Sequence, residues 1–351
     1  MTVAAKSASP PPSFPFPVLD LTDLDSPETA ATFRAALLKA THEVGFFYLT
    51  GTGVSPALEE RLLAAARSFF ALPEAEKLEI ENIKSPRFRG YTRLGNERTL
   101  GQVDWREQID IWPEHEALSA EQLATQPPYA RLIGPNLWPA RLPELKDVVA
   151  EWQAILNAAA HKLLRAWALA LGAEEDFFDK HFAEPTTRLK IVKYPGVEPG
   201  SSETLGVGPH KDGGCVTLLW VQPGAGGLQV ETEQGWVDAI NPSIPGLFVV
   251  NIGEMIEHAT GGYLKATVHR VLAPVAPAER ISVPIFFNPS MDATFPVLEL
   301  PEELRGKTHA VRATDDKIHA LYGNNLLKSR LRAHPDVAAI HHPDLVASGK
   351  Y

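Results

Sequence analysis

The fold is decided by two stretches of the sequence, GPHKDGGCVTLLW at residues 208–220 and GGYLKATVHRVLAP at residues 261–274. On an extended strand, His210 and Asp212 point to the same face, because side chains alternate between faces. His269 lies in residues 265–272, a predicted strand that could pair beside the first one. Two imidazoles and one carboxylate could then bind one face of a divalent metal ion and leave its other positions open.

A second group of residues suits a carboxylate ligand. Arg280 and Ser282 are two residues apart at the start of the predicted strand ISVPIFF, so they share a face. Arginine offers a planar fork of donors, and serine adds one more. Tyr194 closes another predicted strand, LKIVKY, with a phenol that could reach the same anion.

The order Tyr, His-x-Asp, His, Arg-x-Ser resembles that of the 2-oxoglutarate/Fe(II)-dependent dioxygenases, and within them the isopenicillin N synthase-like branch. Further matches in the same order include PVLDLTDL, EVGFFYLTGTGV, FRGY, DWREQID, IVKYPG, GGLQVE, VVNIGEMIE and ERISVPIFF. The resemblance implies a mainly β fold with flanking helices, whose core is a double-stranded β-helix, or jelly roll. It also implies that the catalytic iron ligands are His210, Asp212 and His269, and that the 2-oxoglutarate-binding residues are Arg280, Ser282 and Tyr194.

The activity implied by this resemblance couples oxidative decarboxylation of 2-oxoglutarate to oxidation of a C–H bond in a small molecule. Hydroxylation, desaturation and ring closure are all compatible with it. The resemblance implies Fe(II), dioxygen and the co-substrate 2-oxoglutarate, and ascorbate is a candidate reductant. Two alternatives stay open: an isopenicillin N synthase-like oxidase that does not use 2-oxoglutarate, and a non-catalytic jelly roll that binds a metal or ligand. The synthase has a glutamine iron ligand near its C-terminus, whereas the last glutamine here is Gln234.

The sequence predicts one domain preceded by a mobile, proline-rich arm at residues 1–17. Its parts are a helical and loop region at 18–187, the jelly-roll core at about 188–290, and a C-terminal helical part at 291–351. Helix starts are predicted at Ser26-Pro27 and Ser55-Pro56, since serine caps helices and proline suits their first position. Residues 143–171 have the apolar period of a long helix under the sheet. Residues 80–142 are predicted to be loops and short strands, and residues 315–334 a final helix.

Composition restricts the partners and the compartment. A net charge of −10 and a pI near 5.7 argue against nucleic acid and anionic membranes as partners, because both attract clustered basic residues. The sequence contains no apolar run of about 18 residues, so no membrane span is predicted. The single cysteine, Cys215, excludes an intramolecular disulfide and favours a cytoplasmic location. A small-molecule substrate is therefore expected.

Five further residues are candidates for substrate binding. Arg87, Arg89 and Tyr91 lie in SPRFRGY, a segment that in this family faces the substrate chamber, although a solvated basic loop explains it equally well. Asn251 is predicted to end a strand beside the metal. His258, in IEHATGG, could face the pocket or be an exposed histidine at a helix end.

Overall fold

The computed structural model describes residues 14–200, 204–309 and 318–349. Within these ranges the chain forms two facing β-sheets and a two-stranded ribbon, with helices on the outside of the larger sheet. The strands are β1 (Val18–Asp20), β2 (Phe46–Thr50), β3 (Gly90–Thr92), β4 (Arg98–Thr99), β5 (Gln102–Val103), β6 (Glu107–Ile111), β7 (Arg188–Tyr194), β8 (Leu205–His210), β9 (Val216–Val221), β10 (Leu228–Thr232), β11 (Gly235–Asp238), β12 (Phe248–Ile252), β13 (His269–Leu272) and β14 (Arg280–Phe287).

The two sheets have the strand arrangement of a jelly roll. The larger has the order β1-β2-β12-β9-β14-β7-β6-β3, and the smaller has the order β11-β10-β13-β8. All their pairings are antiparallel except the parallel β1–β2 pair. An apolar cluster joins the inner faces and includes Tyr194 of β7 and Val230 of β10. The predicted mainly β, jelly-roll fold is thus confirmed.

The helices cover the outer face of the larger sheet and the C-terminal side. They are α1 (Pro27–Glu43), α2 (Pro56–Phe70), α3 (Glu74–Lys77), α4 (Ala120–Thr125), α5 (Glu144–Ala170), α6 (Glu254–Ala259), α7 (Tyr322–Ala333), α8 (Pro335–His341) and α9 (Pro343–Ser348). Shorter 3-10 turns occur at Leu21–Asp25, Leu78–Ile80, Asn82–Lys84, Pro128–Leu132 and Asp179–Phe182. No helix in the described ranges combines the length and the apolar character that crossing a membrane requires.

Local sequence explains the three long helices. The side chains of Ser26 and Ser55 accept hydrogen bonds from backbone N–H groups in the first turns of α1 and α2, at the two predicted starts. Helix α5 is 27 residues long and buries an apolar stripe that includes Trp152, Leu156 and Leu163. It ends before Gly172, whose φ of 79° is a left-handed conformation that glycine adopts without strain.

The larger sheet has different chemistry on its two faces. Along β7, Leu189 and Ile191 point outward and join the core shared with α5. Val192 and Tyr194 point inward to the apolar cluster between the sheets. By the same alternation Arg188 and Lys190 also point inward. One face of a single strand therefore packs the helices, and the other carries charged groups into the interior.

The N-terminal region contributes more to the larger sheet than its sequence indicates. Both β3 and β6 come from residues 80–142, which are predicted from the sequence to be loops and short strands. Strand β6 pairs with β7 over its whole length. Strands from before residue 188 therefore complete the sheet.

The packed chain also begins earlier than Val18. Residues 1–13 of the predicted arm lie outside the described residues, but Phe16 is buried and Phe14 packs edge-on against Tyr48 with ring centroids 4.8 Å apart. These two aromatic rings cover one end of the cluster between the sheets. The arm prediction therefore does not fit residues 14–17.

Two predicted elements have different bounds. The strand expected at residues 265–272 begins at His269, because Lys265 and Ala266 donate to Thr41 of α1 and to the Glu257 carboxylate instead of a neighbouring strand. The final helix expected at residues 315–334 is described from Tyr322 to Ala333. Two short helices then follow, each with a proline at its first position.

Candidate active site

The two histidines of the predicted triad lie side by side at the ends of neighbouring strands. His210 is the last residue of β8 and His269 is the first of β13. The antiparallel register pairs them directly, and their ring centroids are 4.3 Å apart. The edge of Phe46 packs against His269. Strand pairing therefore brings together two imidazoles that are far apart in the sequence.

Asp212 faces both histidines. Its Oδ1 atom lies 3.6 Å from Nε2 of His210 and 3.8 Å from Nε2 of His269. With metal–ligand bonds of about 2 Å, the ligand atoms of one ion lie at most about 4 Å apart. The strand expected to carry both His210 and Asp212 ends at His210, since the chain bends at Gly213 and Gly214. The three donor atoms nevertheless fit around one ion.

Each metal-facing atom is selected by a hydrogen bond on the other side of its side chain. Nδ1 of His210 lies 2.8 Å from the Gly208 carbonyl, and Nδ1 of His269 lies 3.0 Å from the Thr267 carbonyl. Nδ1 must therefore carry the proton in each ring, which leaves Nε2 as the ligand atom. These contacts hold both rings in the tautomer that a metal requires.

The Asp212 carboxylate is oriented in a similar way. Its Oδ2 atom accepts hydrogen bonds from the Thr217 hydroxyl at 2.5 Å and from the Asn251 amide at 2.8 Å. The other oxygen, Oδ1, remains directed at the histidines. Residues of β9 and β12 thus hold the carboxylate of the triad, which follows β8.

The protonation states suit metal binding. Burial alone would raise the pKa of Asp212, but its interactions with His210 and His269 and the hydrogen bond from the Asn251 amide outweigh burial and lower that pKa. Burial, assisted by the charge of His210, lowers the pKa of His269 to about 4. Burial would lower the pKa of His210, but the neighbouring carboxylate raises it. The carboxylate is therefore ionised, and His269 is neutral near pH 7.

The three residues predicted to bind a carboxylate also lie together. Arg280 of β14 pairs in register with Tyr194 of β7, and its guanidinium lies 4.7 Å from the centre of the tyrosine ring. The Arg280 Nη1 atom donates to the Ser282 hydroxyl at 2.9 Å, and Nε donates to the Gly226 carbonyl at 2.9 Å. Burial lowers the pKa of Arg280, and its interaction with Tyr194 opposes that shift.

A small cavity adjoins this cation between the sheets. Its walls are mainly apolar and include Tyr48, Leu228 and Val249 beside Arg280. Among the ion pairs of the described residues, none joins Arg280 to a carboxylate. A buried cation of this kind is stabilised by an anionic ligand.

The sequence matches two family profiles. The profile described as "non-haem dioxygenase in morphine synthesis N-terminal" matches residues 16–141, and that of the 2OG-Fe(II) oxygenase superfamily matches residues 186–289. A 2-oxoglutarate-dependent dioxygenase, frbJ, of Dothideomycetidae sp. (strain 11243) is 37% identical over 341 residues, which cover 92% of this chain and 90% of the relative.

The chain belongs to the 2OG-Fe(II) oxygenase superfamily.

Two other proteins extend the comparison. A homoarginine-6-hydroxylase of Arabidopsis thaliana is 30% identical over 326 residues, covering 90% of this chain and 88% of the relative. The crystal structure of a full-length Neurospora crassa protein in complex with alpha-KG (2-oxoglutarate) and thymine superposes with a TM-score of 0.71, with 23% identity and coverage of 90% and 97% of the two chains. The second likeness shows the shared fold.

As a member of this superfamily, the protein is an Fe(II)- and 2-oxoglutarate-dependent oxygenase, as the sequence resemblance implied. The donor set fits the iron, because two imidazole nitrogens and a carboxylate are the ligands of the facial triad. The named relatives favour this activity over that of an oxidase that does not use 2-oxoglutarate.

Three of the substrate candidates contact other parts of the N-terminal region. Nε of Arg87 donates to the Ile133 carbonyl, and Arg89 donates to the carbonyls of Pro113 and Leu132. The Tyr91 hydroxyl donates to Glu107 at 2.7 Å. Arg89 is buried, so the interpretation of this segment as a solvated loop does not apply to it. None of these described contacts involves the triad, and a role in substrate binding stays a prediction.

The other two candidates differ from each other. Asn251 is buried near the end of β12 and donates to Asp212, so it contacts a residue of the triad. His258 is exposed on α6, as the second interpretation of that residue expected.

The sequence reasoning missed Thr217 and Arg188. The Thr217 hydroxyl contacts Asp212, and Arg188 opens β7 on the inward face. A signal was present in the sequence for Arg188, because it and Lys190 place charged side chains on the same face of β7 as the apolar Val192. Charge on the inward face of a central strand is unusual, since burying it without a partner is costly.

Proposed function

We propose that His210, Asp212 and His269 bind the catalytic Fe(II), and that Arg280 with Ser282 and Tyr194 binds the far carboxylate of 2-oxoglutarate. The observation that carries this proposal is the register pair of His210 and His269, with Oδ1 of Asp212 facing both Nε2 atoms. Bound Fe(II), with 2-oxoglutarate and dioxygen, supplies oxidative decarboxylation to succinate and CO2 coupled to oxidation of a substrate C–H bond.

The protein's own residues then have distinct tasks. Thr217 and Asn251 orient the Asp212 carboxylate. Arg280 would bind the far end of the co-substrate. On β14 it lies four residues before Pro284, and Pro284 pairs in register with Leu219 of β9. Leu219 is in turn two residues from Thr217, which contacts Asp212. The side chains between the sheets exclude water. This arrangement keeps the co-substrate extended between the cation and the metal.

The substrate is proposed to be a small molecule. In support, one relative is named a homoarginine-6-hydroxylase, and a protein of the same fold was crystallised with thymine. A net charge of −10 disfavours nucleic acid. The buried, unpaired thiol of Cys215 and the need for reduced iron support a cytoplasmic location.

Succinate formation tests the proposal. Purified protein with Fe(II), ascorbate and 2-oxoglutarate should form succinate, and a substrate from a small-molecule panel should accelerate it. The anaerobic complex with Fe(II) and 2-oxoglutarate should show a weak visible charge-transfer band. Full turnover without 2-oxoglutarate would contradict the role of Arg280 and support an oxidase, whereas a sample with neither band nor succinate would support a non-catalytic protein.

A further inference from the structure

A row of inward-facing side chains connects Arg188 to the metal ligands. Arg188 of β7 pairs in register with Phe286 of β14, and Phe286 pairs with Thr217 of β9. The Thr217 hydroxyl in turn contacts Asp212. Neighbouring strands are about 4.8 Å apart, so Arg188 starts about 10 Å from Thr217 along this row. That distance is suited to a small molecule lying between the guanidinium and the metal site.

Arg188 presents donors without acceptors. Its Nε and Nη1 atoms are buried and make no hydrogen bond with the described residues, and the same is true of the Trp112 indole Nε1. The guanidinium lies 5.6 Å from the centre of the Trp112 ring and 4.7 Å from that of Phe286. Its remaining polar contact is with the Tyr322 hydroxyl. Two neighbouring side chains therefore carry several unsatisfied N–H groups in the same region.

The neighbouring carboxylates are engaged elsewhere. Glu97 and Asp110 lie near the cations Lys190 and Arg330, and Glu97 also pairs with Arg106. No ion pair of the described residues joins a carboxylate to Arg188. The nearby charge of Arg330 makes this region still more favourable to an anion.

Arg89 is a second arginine that packs against Trp112. Its guanidinium also lies 5.6 Å from the centre of the Trp112 ring, while its own Nη atoms are bonded to the carbonyls of Pro113 and Leu132. The Nη atoms of Arg89 thus fix the loop that follows Trp112, and its buried Nε is a further donor without a hydrogen bond to the described residues.

We propose that Arg188, together with Trp112 Nε1, binds a carboxylate of the substrate. This inference rests on the proposed function, because it places the rest of that molecule along Phe286 toward the metal site. The planar fork of arginine matches a carboxylate in two hydrogen bonds, and the apolar faces of Trp112 and Phe286 exclude competing water. The substrate class assigned by this site is small carboxylic acids, including amino acids.

A panel of matched compounds tests the substrate class. Free amino acids and small aliphatic and aromatic acids are each compared with the corresponding primary amide, using the Fe(II)-loaded protein and 2-oxoglutarate. Compounds that stimulate succinate release should be acids, and each amide should be at least about tenfold less effective. Equal stimulation by acids and amides, or no stimulation by any acid, would overturn the proposal. Absence of succinate in every sample, even without substrate, would instead contradict the proposed function.

Variants of Arg188 test its role in binding the carboxylate. Arg188→Met should raise KM for the best acid about tenfold to a hundredfold. KM for the corresponding amide should change little, because the amide has no negative charge for Arg188 to bind. Arg188→Lys, which keeps the charge and is less disruptive to packing, should recover part of the preference. Arg141→Met is the control, since Arg141 is exposed and its pair with Glu76 lies on the surface. An unchanged preference for the acid over the amide in both Arg188 variants would overturn the assignment.

Discussion

Two groups of carboxylates and histidines in the described chain, buried except for the half-buried His210, have the spacing of a metal site. One is His210, Asp212 and His269, and the other is Glu97, Asp110 and His334. In both groups the potential ligand atoms lie within 4.8 Å of one another. Geometry alone does not separate them, so the difference must lie in what surrounds each group.

The surroundings differ in charge. Lys190 Nζ lies 2.7 Å from Glu97 Oε1 and 3.6 Å from Asp110 Oδ1, and the Arg106 guanidinium pairs with Glu97 at 2.9 Å. Asp212 instead receives hydrogen bonds from the neutral side chains of Thr217 and Asn251. In one group, therefore, the protein's own cations neutralise the carboxylates that a metal would bind. In the triad, no described cation of this kind neutralises Asp212, so its negative charge can contribute to binding a metal ion.

The largest expected effect separates these two groups directly. Replacing His210, Asp212 or His269 by alanine should abolish turnover and bound iron while the fold is retained, because a facial site that has lost one of three ligands holds metal poorly. Asp212→Glu should fail too, since placement tolerance at such sites is about 0.5 Å. Iron content and succinate formation measure both effects.

The control for this experiment is Glu97→Gln, which alters the second group. It should keep the iron content of the wild type. Near-normal activity in any single triad variant would show that the residue changed is not a metal ligand.

The second group, Glu97, Asp110 and His334, is expected to contribute to the free energy of unfolding. Burial would raise the pKa of Glu97, but Arg106 and Lys190 hold that pKa well below its ordinary value. Glu97→Gln keeps the shape and leaves these cations buried without their shared anion. Breaking a buried pair in this way costs about 3–5 kcal/mol. Urea unfolding measures the loss, with Glu74→Gln as an exposed control expected to cost about 1 kcal/mol or less. A loss at Glu97 no greater than at Glu74 would refute a stabilising role.

The sequence predicted the triad better than it predicted this charged group. His210, Asp212 and His269 carry a spacing that strand alternation can interpret, and β8 and β13 indeed pair at the two histidines. The members of the charged group lie on β6, β7, α7 and the segments beside them, and no spacing rule connects such distant positions. Only the folded chain shows which cation neutralises which carboxylate.

The boundaries that the sequence missed have a common physical cause. The backbone N–H groups of Lys265 and Ala266 bond to groups on α1 and α6, and β6, which pairs with β3, also pairs with β7, far along the chain. Local periodicity reports which face of a segment is apolar. It does not report which partner satisfies the backbone, so strand bounds and strand membership depend on tertiary contacts.

A pH effect of intermediate size sharpens the comparison. Burial, assisted by the charge of Arg330, lowers the pKa of His334 from 6.5 to about 4 although Glu97 opposes the shift. Between these values the unfolded chain binds a proton that the folded chain does not, so stability falls as the pH decreases from 6.5 toward 4. One proton is equivalent to about 1.4 kcal/mol per pH unit, or about 3 kcal/mol across the window.

His334→Gln should remove this part of the pH dependence, which is measured as the difference in free energy of unfolding between variant and wild type at several pH values. His115→Gln, at an exposed position, should not change the pH dependence. A difference between the His334 variant and wild type that is constant from pH 6.5 to pH 4 would contradict the assignment.

The smallest expected effect is on KM for 2-oxoglutarate and concerns Arg280. This buried cation has no carboxylate partner among the described ion pairs, in contrast to Lys190. Lys190 is neutralised by Glu97 and Asp110, whereas the described contacts of Arg280 are with Ser282, Tyr194 and a carbonyl. We therefore expect Lys190 to contribute to stability and Arg280 to bind an anionic ligand. Arg280→Lys keeps the charge and loses the planar fork, so KM for 2-oxoglutarate should rise about tenfold to a hundredfold. Arg270→Lys, on the smaller sheet beside Gln229 and Trp236, should leave that KM unchanged. Equal KM values for the Arg280 and Arg270 variants would mean that a buried cation without a carboxylate partner does not identify the co-substrate site in this protein.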